Sequence, residues 1–509
     1  MNSPTGAPAA LPVWARAADV ATVLLGLAVL NVAVFGGIRV EGLFSMSGPW
    51  RALAVLLAVC GLRHYLVRTA SLHQRIWNRL RRVWSDEAFR AVWPMALATR
   101  VAVLLVGYLG VAAVGFAPGY PSHRVSDNEL INLPLRWDTG WYVGIAMEGY
   151  RWEADAEGPQ DIAFFPGYPL AVKAVANLLG AHDVFRRPVD DGAGPADAGA
   201  RRTLPDRRVD LPEDRNPGTF LGSAVLVSLL SFGWSLVWIY RLAREHLDTQ
   251  AARAAVLLLS AYPFAVFFSA AYTESLMLLA IAGAFYYARQ HRWGPVAAWG
   301  LLAGVTRPNG FLLAGPLVVL AAQQALAARR ASRAEGDGSR RQILTACIAG
   351  AACAMPVIGA LLFSAYIHTL TGDPFAWREA HAAWGRNYTG LDRLWAPFDF
   401  VSTAGIVAYT SVHPIPALNV LATLLTCILI WPVTRRLGAA YGLFMLLNVV
   451  PPLFFGGYQS MGRVTSLLFP MFLYLGLVLT ERRRQTLVAG FACVQGLAAV
   501  LFFTWRPFV

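Results

Sequence analysis

The sequence predicts an all-α polytopic membrane protein, and three observations support this prediction. Of the 509 residues, 56% are hydrophobic and only 14% are charged, whereas soluble domains carry about 25% charged residues. The apolar residues form runs of about 20, long enough to cross a bilayer as helices that satisfy their own backbone hydrogen bonds. The arginines form short clusters between these runs, as in the loops of membrane proteins. This distribution explains the net charge of +13 and excludes nucleic acid as a partner.

About thirteen apolar segments predict transmembrane helices. The first is expected to be retained rather than cleaved as a signal peptide, because no convincing cleavage site follows it. Two N-terminal spans and a basic segment fill residues 1–90, a transmembrane core fills 91–480, and a last span lies in 481–509. The apolar segments lie near residues 17–36, 51–67, 93–116, 219–241, 252–270, 273–288, 294–305, 311–328, 343–366, 414–433, 439–455, 464–480 and 486–504.

The basic clusters predict the orientation of these spans. With the N-terminus in the cytoplasm, nearly every dense cluster in a short loop falls on the cytoplasmic side, as the positive-inside rule requires. The opposite side then receives the long loop 117–218, the turn 306–310, the loop 367–413 and the segment 456–463. We therefore expect a multi-pass protein of the plasma membrane. The cytoplasmic clusters are 68–82, 241–246, 289–292, 329–341, 434–436 and 481–484.

Two segments between the apolar runs are strongly charged. Residues 186–218 hold seven arginines and seven acidic residues with almost no apolar content, which predicts a disordered insertion. Residues 68–82 predict a basic helix on the inner surface of the membrane. No internal repeat is visible, which disfavours a transporter built from duplicated halves. The five cysteines lie inside apolar runs without a CxxC motif, so we expect small core residues rather than disulfides or a zinc site.

The stretch WDTGWYVGIAMEGY, residues 137–150, places a carboxylate among aromatic residues on the outer side. Asp138 stands between Trp137 and Trp141, and Tyr142 and Glu148 follow. The spacing predicts an interfacial helix over 139–148, with tryptophans in the headgroup layer. Two interpretations of the aspartate stand at this point. It is the N-cap of that helix, or it is a functional carboxylate at the membrane interface, where charge is expensive to keep.

Further polar residues fall on the same side, and each has a structural alternative. Glu274 in AYTESL either interacts with the positive end of a helix or takes part in a site. Arg307 and Asn309 lie in TRPNG, and Arg463 lies in SMGRVTSLLFP. The arginines are snorkelling anchors or phosphate ligands, and the scarcity of arginine on this side favours phosphate. His381, in the second outer loop, is a surface histidine or a substrate ligand.

Five short stretches, taken together, resemble a known family. RWDTGWYVGIAMEGY, AFFPGYPL, AYTESL, TRPNG and GRVTSLLFP follow one another in this order between about residues 90 and 480. They resemble the PIG-V family, the second mannosyltransferase of GPI-anchor assembly, and its bacterial homologues, within the GT-C superfamily of polytopic glycosyltransferases. TRPNG is a variant of the Thr-Arg-small-Asn-Gly pattern expected in that family.

The resemblance implies a fold and a reaction. It implies a GT-C fold with a long catalytic first loop outside the cytoplasm. Such enzymes take a sugar from a polyprenyl-phosphate carrier and usually invert the anomeric configuration, with a carboxylate of the first outer loop as general base. By motif that residue is Asp138. Arg307 and Arg463 would stabilise the departing phosphate, and Glu274 would bind sugar hydroxyls or orient the acceptor. The remaining substrate-binding candidates are Trp137, Trp141, Tyr142, Glu148, Asn309 and His381.

We therefore expect a mannosyltransferase that uses polyprenyl-phosphate-mannose in the membrane. The composition, rich in Ala, Arg and Gly, suggests a bacterium of high GC content, so the expected acceptor is an envelope glycolipid, a lipoglycan or a secreted acceptor rather than a GPI precursor. Another lipid-linked sugar, or transport of polyprenyl-linked glycans, is the alternative. The polar residues lie at the outer ends of spans rather than at the midplane, which favours catalysis over transport. No HExxH or DxD motif occurs in the outer loops, so we expect no cofactor and no metal, and treatment with EDTA would test this.

Overall fold

The computed structural model describes residues 12–35, 38–40, 44–46, 49–67, 72–119, 124–126, 128–154, 158–181, 217–335, 339–385 and 392–508. In these ranges the regular secondary structure is helical apart from one small hairpin, in which β1 (Ile38–Val40) pairs antiparallel with β2 (Phe44–Met46). The predicted all-α class is confirmed. Most of the predicted insertion 186–218 lies outside the described residues.

The helices are numbered in chain order. The first eleven are α1 (Val13–Phe35), α2 (Pro49–Leu66), α3 (Leu72–Ser85), α4 (Glu87–Val114), α5 (Glu129–Asn132), α6 (Thr139–Glu148), α7 (Gly167–Leu178), α8 (Pro217–Ala243), α9 (Thr249–Ala261), α10 (Glu274–Arg289) and α11 (Trp293–Thr306). The others are α12 (Ala314–Glu335), α13 (Ser339–Thr371), α14 (Ala376–Ala380), α15 (Asp392–Ala404), α16 (Ile406–Val412), α17 (Pro414–Arg436), α18 (Ala439–Gly456), α19 (Met461–Thr465), α20 (Phe469–Val478) and α21 (Glu481–Phe503). Four 3-10 turns cover Asp161–Ala163, Pro263–Ser269, Pro308–Leu313 and His381–Trp384.

Eight of the described helices are long and apolar enough to cross a membrane, which makes this a multi-pass membrane protein. A ninth span results if α9 and the 3-10 turn after it are counted as one broken span. The remaining four predicted segments fall on α2, α10, α11 and α20, which do not reach the same length or hydropathy. The eight helices are α1, α4, α8, α12 with its preceding 3-10 turn, α13, α17, α18 and α21.

The chain divides into two compact units, Met1–Arg90 with Leu170–Ser223, and Ala91–Pro169 with Ala224–Val509. In the first unit α1 packs against α2, and Nε of Arg63 lies 3.1 Å from Oδ1 of Asp19 across that contact. The basic segment 68–82 is helical from Leu72, within α3. Its position on a membrane surface stays a prediction.

The second unit contains a broken span that ends beside the candidate site. Pro263 has no N–H for the next helical hydrogen bond, and the chain bends by 79° between α9 and the 3-10 turn. Carbonyl groups freed by such a break need other donors in an apolar environment. Arg100 of α4 donates to the carbonyl oxygen of Ser260 at 2.5 Å, and Gln495 donates to that of Tyr262 at 2.8 Å. The bend is therefore fixed by side chains of two other helices, and α10 begins shortly after it.

Candidate active site

The helix α6 positions Asp138, the predicted general base. The predicted helix over 139–148 is confirmed, since α6 covers Thr139–Glu148. Trp137, two residues before α6, has a left-handed backbone with φ of 51°, a conformation that costs about 1–3 kcal/mol in residues other than glycine. The side chain of Asp138 makes no capping hydrogen bond. Its Oδ2 accepts a hydrogen bond from Nη1 of Arg463 at 2.8 Å, so the N-cap interpretation is wrong.

Arg463, on the short helix α19, joins two carboxylates. Besides its bond to Asp138, it donates from Nε to Oε1 of Glu274. Its guanidinium lies over the ring of Tyr272, 4.6 Å from the centroid. Burial lowers the pKa of Arg463, but the two carboxylates outweigh burial, so its pKa lies well above the ordinary value. The arginine therefore stays charged inside the protein and holds the two acids together.

Glu274 is the first residue of α10 and is fully buried. Its Oε1 accepts hydrogen bonds from Arg463 and from Nη1 of Arg307, whereas its Oε2 has no partner in the described part of the chain. An unpaired buried carboxylate would carry a desolvation penalty of several kcal/mol. The helix dipole contributes only about 0.3–1 kcal/mol. The two arginines, rather than the helix end, are therefore the main counter-charges of the Glu274 carboxylate.

Arg307 completes the arrangement from the end of α11. Its backbone is extended, and its Nη1 donates to Glu274 and, at 3.1 Å, to Oγ1 of Thr273. A snorkelling arginine directs its charge toward the surface, whereas this guanidinium pairs with a fully buried acid. Its Nε has no hydrogen-bond partner among the described residues. Arg307 thus has unused donor capacity beside the cluster.

Asp138, Arg463, Glu274 and Arg307 form what we call the charge cluster, in which acids and arginines alternate. Its two carboxylates balance its two guanidiniums, so the formal charge is zero. Glu274 is fully buried and Arg463 exposes 9% of its side chain, while Arg307 exposes 14% and Asp138 27%. A ligand would therefore meet a carboxylate at one end of the cluster and a guanidinium at the other.

Aromatic side chains of α6 border the charge cluster. The hydroxyl of Tyr142 lies 3.5 Å from Oγ1 of Thr273, and burial raises the pKa of Tyr142, which keeps it neutral. Trp141, the residue before Tyr142, stacks on Phe164 with ring centroids 5.6 Å apart. It also makes an edge-to-face contact with Trp384, whose ring centroid is 5.9 Å away. These three rings are half-buried. Trp141 of α6, Phe164 and Trp384 thus form a partly open aromatic surface, and Trp141 lies three residues after Asp138.

Four other predicted site residues bond to groups outside the charge cluster, and the structure does not bring them into it. Glu148 pairs with Arg151, Asn309 donates to Oδ1 of Asn448 at 2.8 Å, Nδ1 of His381 lies 2.7 Å from the carbonyl oxygen of Trp377, and the indole of Trp137 donates to the carbonyl oxygen of Phe502 at 3.2 Å.

Two residues near the cluster, Tyr272 and Arg136, had no role assigned to them from the sequence. The hydroxyl of Tyr272 accepts a hydrogen bond from the backbone N–H of Asp138 at 2.9 Å. The fully buried Arg136 donates to the carbonyl oxygen of Phe503 at 2.7 Å and pairs with Glu129 at 3.0 Å. Their position in the sequence could have indicated them, because each lies within two residues of a predicted site residue in the same motif.

Among the described residues, no group of three or more His, Cys, Asp or Glu side chains could hold a metal ion. The polar centre of the second unit is instead built from alternating charges that neutralise one another. What it offers a ligand is hydrogen-bond donors, acceptors and aromatic surface.

No protein-family model matches the chain, and no curated protein matches it either. The family resemblance therefore depends on the short motifs alone. Four of them, RWDTGW, AYTESL, TRPNG and GRVTS, each contribute one member of the charge cluster, although they lie far apart in the sequence. Motifs recognised separately thus supply side chains to one location.

Proposed function

We propose that this protein is a membrane glycosyltransferase of the GT-C type with about thirteen spans. It would transfer mannose, with inversion, from polyprenyl-phosphate-mannose to a hydroxyl of an envelope glycolipid, a lipoglycan or a secreted acceptor. The reaction would take place at the non-cytoplasmic face of the plasma membrane, with Asp138 as general base. Support for the span number comes from the thirteen apolar segments, all of which coincide with helices.

The observation that carries this proposal is that Asp138 is held by an arginine through one oxygen and is still partly exposed. One of its carboxylate oxygens, Oδ2, is held by Arg463, while Oδ1 makes no hydrogen bond within the described residues and the side chain is partly exposed. A general base needs a positioned oxygen that can reach a substrate proton. Glu274 lacks this property because it is fully buried and bound by two arginines. Asp138 is therefore the better candidate of the two acids.

The alternation of acids and arginines in the charge cluster suggests a single displacement step. The acceptor hydroxyl oxygen would attack the anomeric carbon while the bond from that carbon to the phosphate oxygen breaks. The hydroxyl proton would pass to Oδ1 of Asp138, and the phosphate would leave as an anion. A positioned base typically accelerates such a step by about 10²–10⁴-fold.

Arg307 is the better of the two arginines for the leaving phosphate. Arg463 already binds both acids, while Arg307 donates only from Nη1 within the described part of the chain and is the more exposed. A preorganised guanidinium stabilises developing phosphate charge. Because Glu274 has no exposed surface, we assign it the support of these arginines instead of contact with the sugar.

The aromatic surface next to Asp138 suits the rest of a lipid-linked sugar donor. Trp141, Phe164 and Trp384 are half-buried, so their rings offer apolar area at the edge of the site. Such rings can stack on a sugar or flank an isoprenoid chain, with their polar edges in the interface. This arrangement fits a substrate that has both a polar head and an apolar tail.

The test compares the wild type with Asp138→Asn in membranes that receive radiolabelled polyprenyl-phosphate-mannose and native lipid extract. The matched control is Glu153→Gln, which removes an exposed carboxylate from the same loop. We expect Asp138→Asn to lose at least about a hundredfold in transfer, consistent with removal of a general base, and the control to keep its activity. Equal transfer by all three proteins would refute the role of Asp138. Absence of transfer by the wild type would refute mannose as the sugar.

A further inference from the structure

The strongest unassigned feature near the charge cluster is Tyr272, which touches both partners of the Asp138–Arg463 ion pair. Its hydroxyl accepts the hydrogen bond from the Asp138 backbone N–H at 2.9 Å. The face of its ring carries the Arg463 guanidinium, 4.6 Å from the ring centroid. No residue other than Tyr272 has both contacts in the described part of the chain.

We infer that Tyr272 is a positioning residue, whose hydroxyl fixes the backbone of Asp138 while its ring fixes the guanidinium of Arg463. One rigid side chain then sets the geometry of the pair, in which Arg463 binds Oδ2 and Oδ1 of the partly exposed Asp138 is left available to an acceptor. The structural part of this inference stands on geometry alone. Its catalytic consequence rests on the function proposed above.

The local backbone explains why such a support is needed. Trp137 immediately before Asp138 is left-handed, with φ of 51°, and such a conformation persists only where its surroundings over-determine it. The Tyr272 hydroxyl lies 3.5 Å from the carbonyl oxygen of Arg136, so it contacts the chain on both sides of Trp137. Without that hydroxyl, the Asp138 N–H would lose its hydrogen-bond acceptor.

Tyr272 does not carry the proton itself. The ring is fully buried, and burial together with the nearby charge of Asp138 holds the pKa of Tyr272 well above its usual value. The hydroxyl is therefore neutral at physiological pH, and it acts as a hydrogen-bond partner. A buried ring beneath a cation also contributes a cation–π interaction, which ties the position of Arg463 to that of the tyrosine.

Three variants of the full-length protein separate these roles. Tyr272→Phe removes the hydroxyl but keeps the ring beneath Arg463, and Tyr272→Leu removes both. Tyr168→Phe is the matched control, because Tyr168 is equally buried and loses a hydroxyl that donates to the carbonyl oxygen of Ala224 at 2.7 Å. It contacts neither Asp138 nor Arg463 through that hydroxyl.

The first readout is hydrogen–deuterium exchange of the Asp138 amide in detergent-solubilised protein, which needs no activity. We expect roughly tenfold faster exchange in Tyr272→Phe, at the upper end of the effect of one lost hydrogen bond, and no change in Tyr168→Phe. The second readout is transfer kinetics. Tyr272→Phe should lower kcat by a similar factor and leave KM for the donor unchanged, whereas Tyr272→Leu should lower kcat further because Arg463, which holds Asp138, also loses its support.

The outcomes distinguish this inference from the proposed function. Unchanged exchange and kcat in Tyr272→Phe, beside an inactive Asp138→Asn, would overturn the role of Tyr272 and leave the proposed function standing. Equal effects of Tyr272→Phe and Tyr168→Phe would also overturn it, since any buried hydroxyl would then do. Faster exchange in Tyr272→Phe alone, in a protein that transfers no sugar, would support the positioning role and count against the enzyme.

Discussion

Replacing Glu274 by glutamine should destabilise the protein far more than an equivalent change in an exposed ion pair. Glu274 is fully buried, and one of its oxygens receives both arginines. In Glu274→Gln the cluster keeps one carboxylate for two guanidiniums, which leaves one uncompensated positive charge inside the protein. Breaking a buried ion pair in this way costs about 3–5 kcal/mol. Because Arg307 is 14% exposed and regains some hydration, we expect the lower half of this range.

The matched control for this prediction is Glu245→Gln. Glu245 pairs with Arg289 at 2.8 Å, and the two side chains are 29% and 39% exposed. The chemical change is the same, but exposed ion pairs are worth only about 0.2–1 kcal/mol. The comparison therefore isolates burial as the cause of the difference.

The assay is equilibrium unfolding of the full-length protein in mixed micelles of dodecyl maltoside and SDS, followed by tryptophan fluorescence. The double variant Glu274→Gln with Arg307→Gln restores one acid to one base. It should therefore recover at least about 1 kcal/mol relative to Glu274→Gln, because the unpaired charge is gone. If Glu274→Gln loses no more stability than Glu245→Gln, the cluster is not held by buried charge pairing.

Two further predictions use the same unfolding assay. Asn309→Leu and Asn448→Leu should each cost about 1–3 kcal/mol, since each removes one partner of their 2.8 Å hydrogen bond and leaves the other unpaired; the double variant should cost less than the sum, and simple additivity would contradict this pairing. Gly462→Ala should cost about 1–3 kcal/mol, because its new Cβ would overlap Cζ of the buried Phe264. Gly490→Ala, where the Cβ meets open space, should be neutral or stabilising, and equal losses in the two alanine variants would refute the packing argument.

Regular periodicity and hydropathy predicted most of the helices. The thirteen apolar segments coincide with helices, and the interfacial helix was predicted with its observed bounds, Thr139–Glu148. These predictions succeed because they depend on local properties, namely the length of an apolar run and the residue types that bound it. The same properties did not predict the break at Pro263, since the hydropathy of an apolar run does not depend on whether the helix is straight or bent.

The sequence also indicated four charged residues that the structure brings together, but not how they pair with one another. Asp138, Glu274, Arg307 and Arg463 were all predicted site residues, and they form the charge cluster. Charged residues are rare in so apolar a chain and expensive to bury alone, so their candidacy followed from composition. The choice between an N-cap and a functional carboxylate for Asp138 could not be made from the sequence, because both place an aspartate immediately before a helix.

Arg100 is another residue whose contacts could not be predicted from the sequence. It stands in the predicted apolar run 93–116, yet it had no predicted role, and it donates to the carbonyl oxygens of Ser260 and Ala265 in the broken span. Those carbonyls lie 160 or more residues away in the chain. The sequence around Arg100 does not indicate that its guanidinium binds these carbonyl groups, and the sequence around the break does not indicate which residue donates to them.

By itself the sequence determined the class of protein, the position of its helices and the short set of polar residues that an apolar chain retains. Those features follow from the free energy of transfer of each segment, which depends on neighbouring residues. Only the tertiary structure decided the pairing, because Asp138 and Arg463 are 325 residues apart and Arg463 and Glu274 are 189 apart. Burial makes each of these charges depend on a partner that the fold must bring from elsewhere.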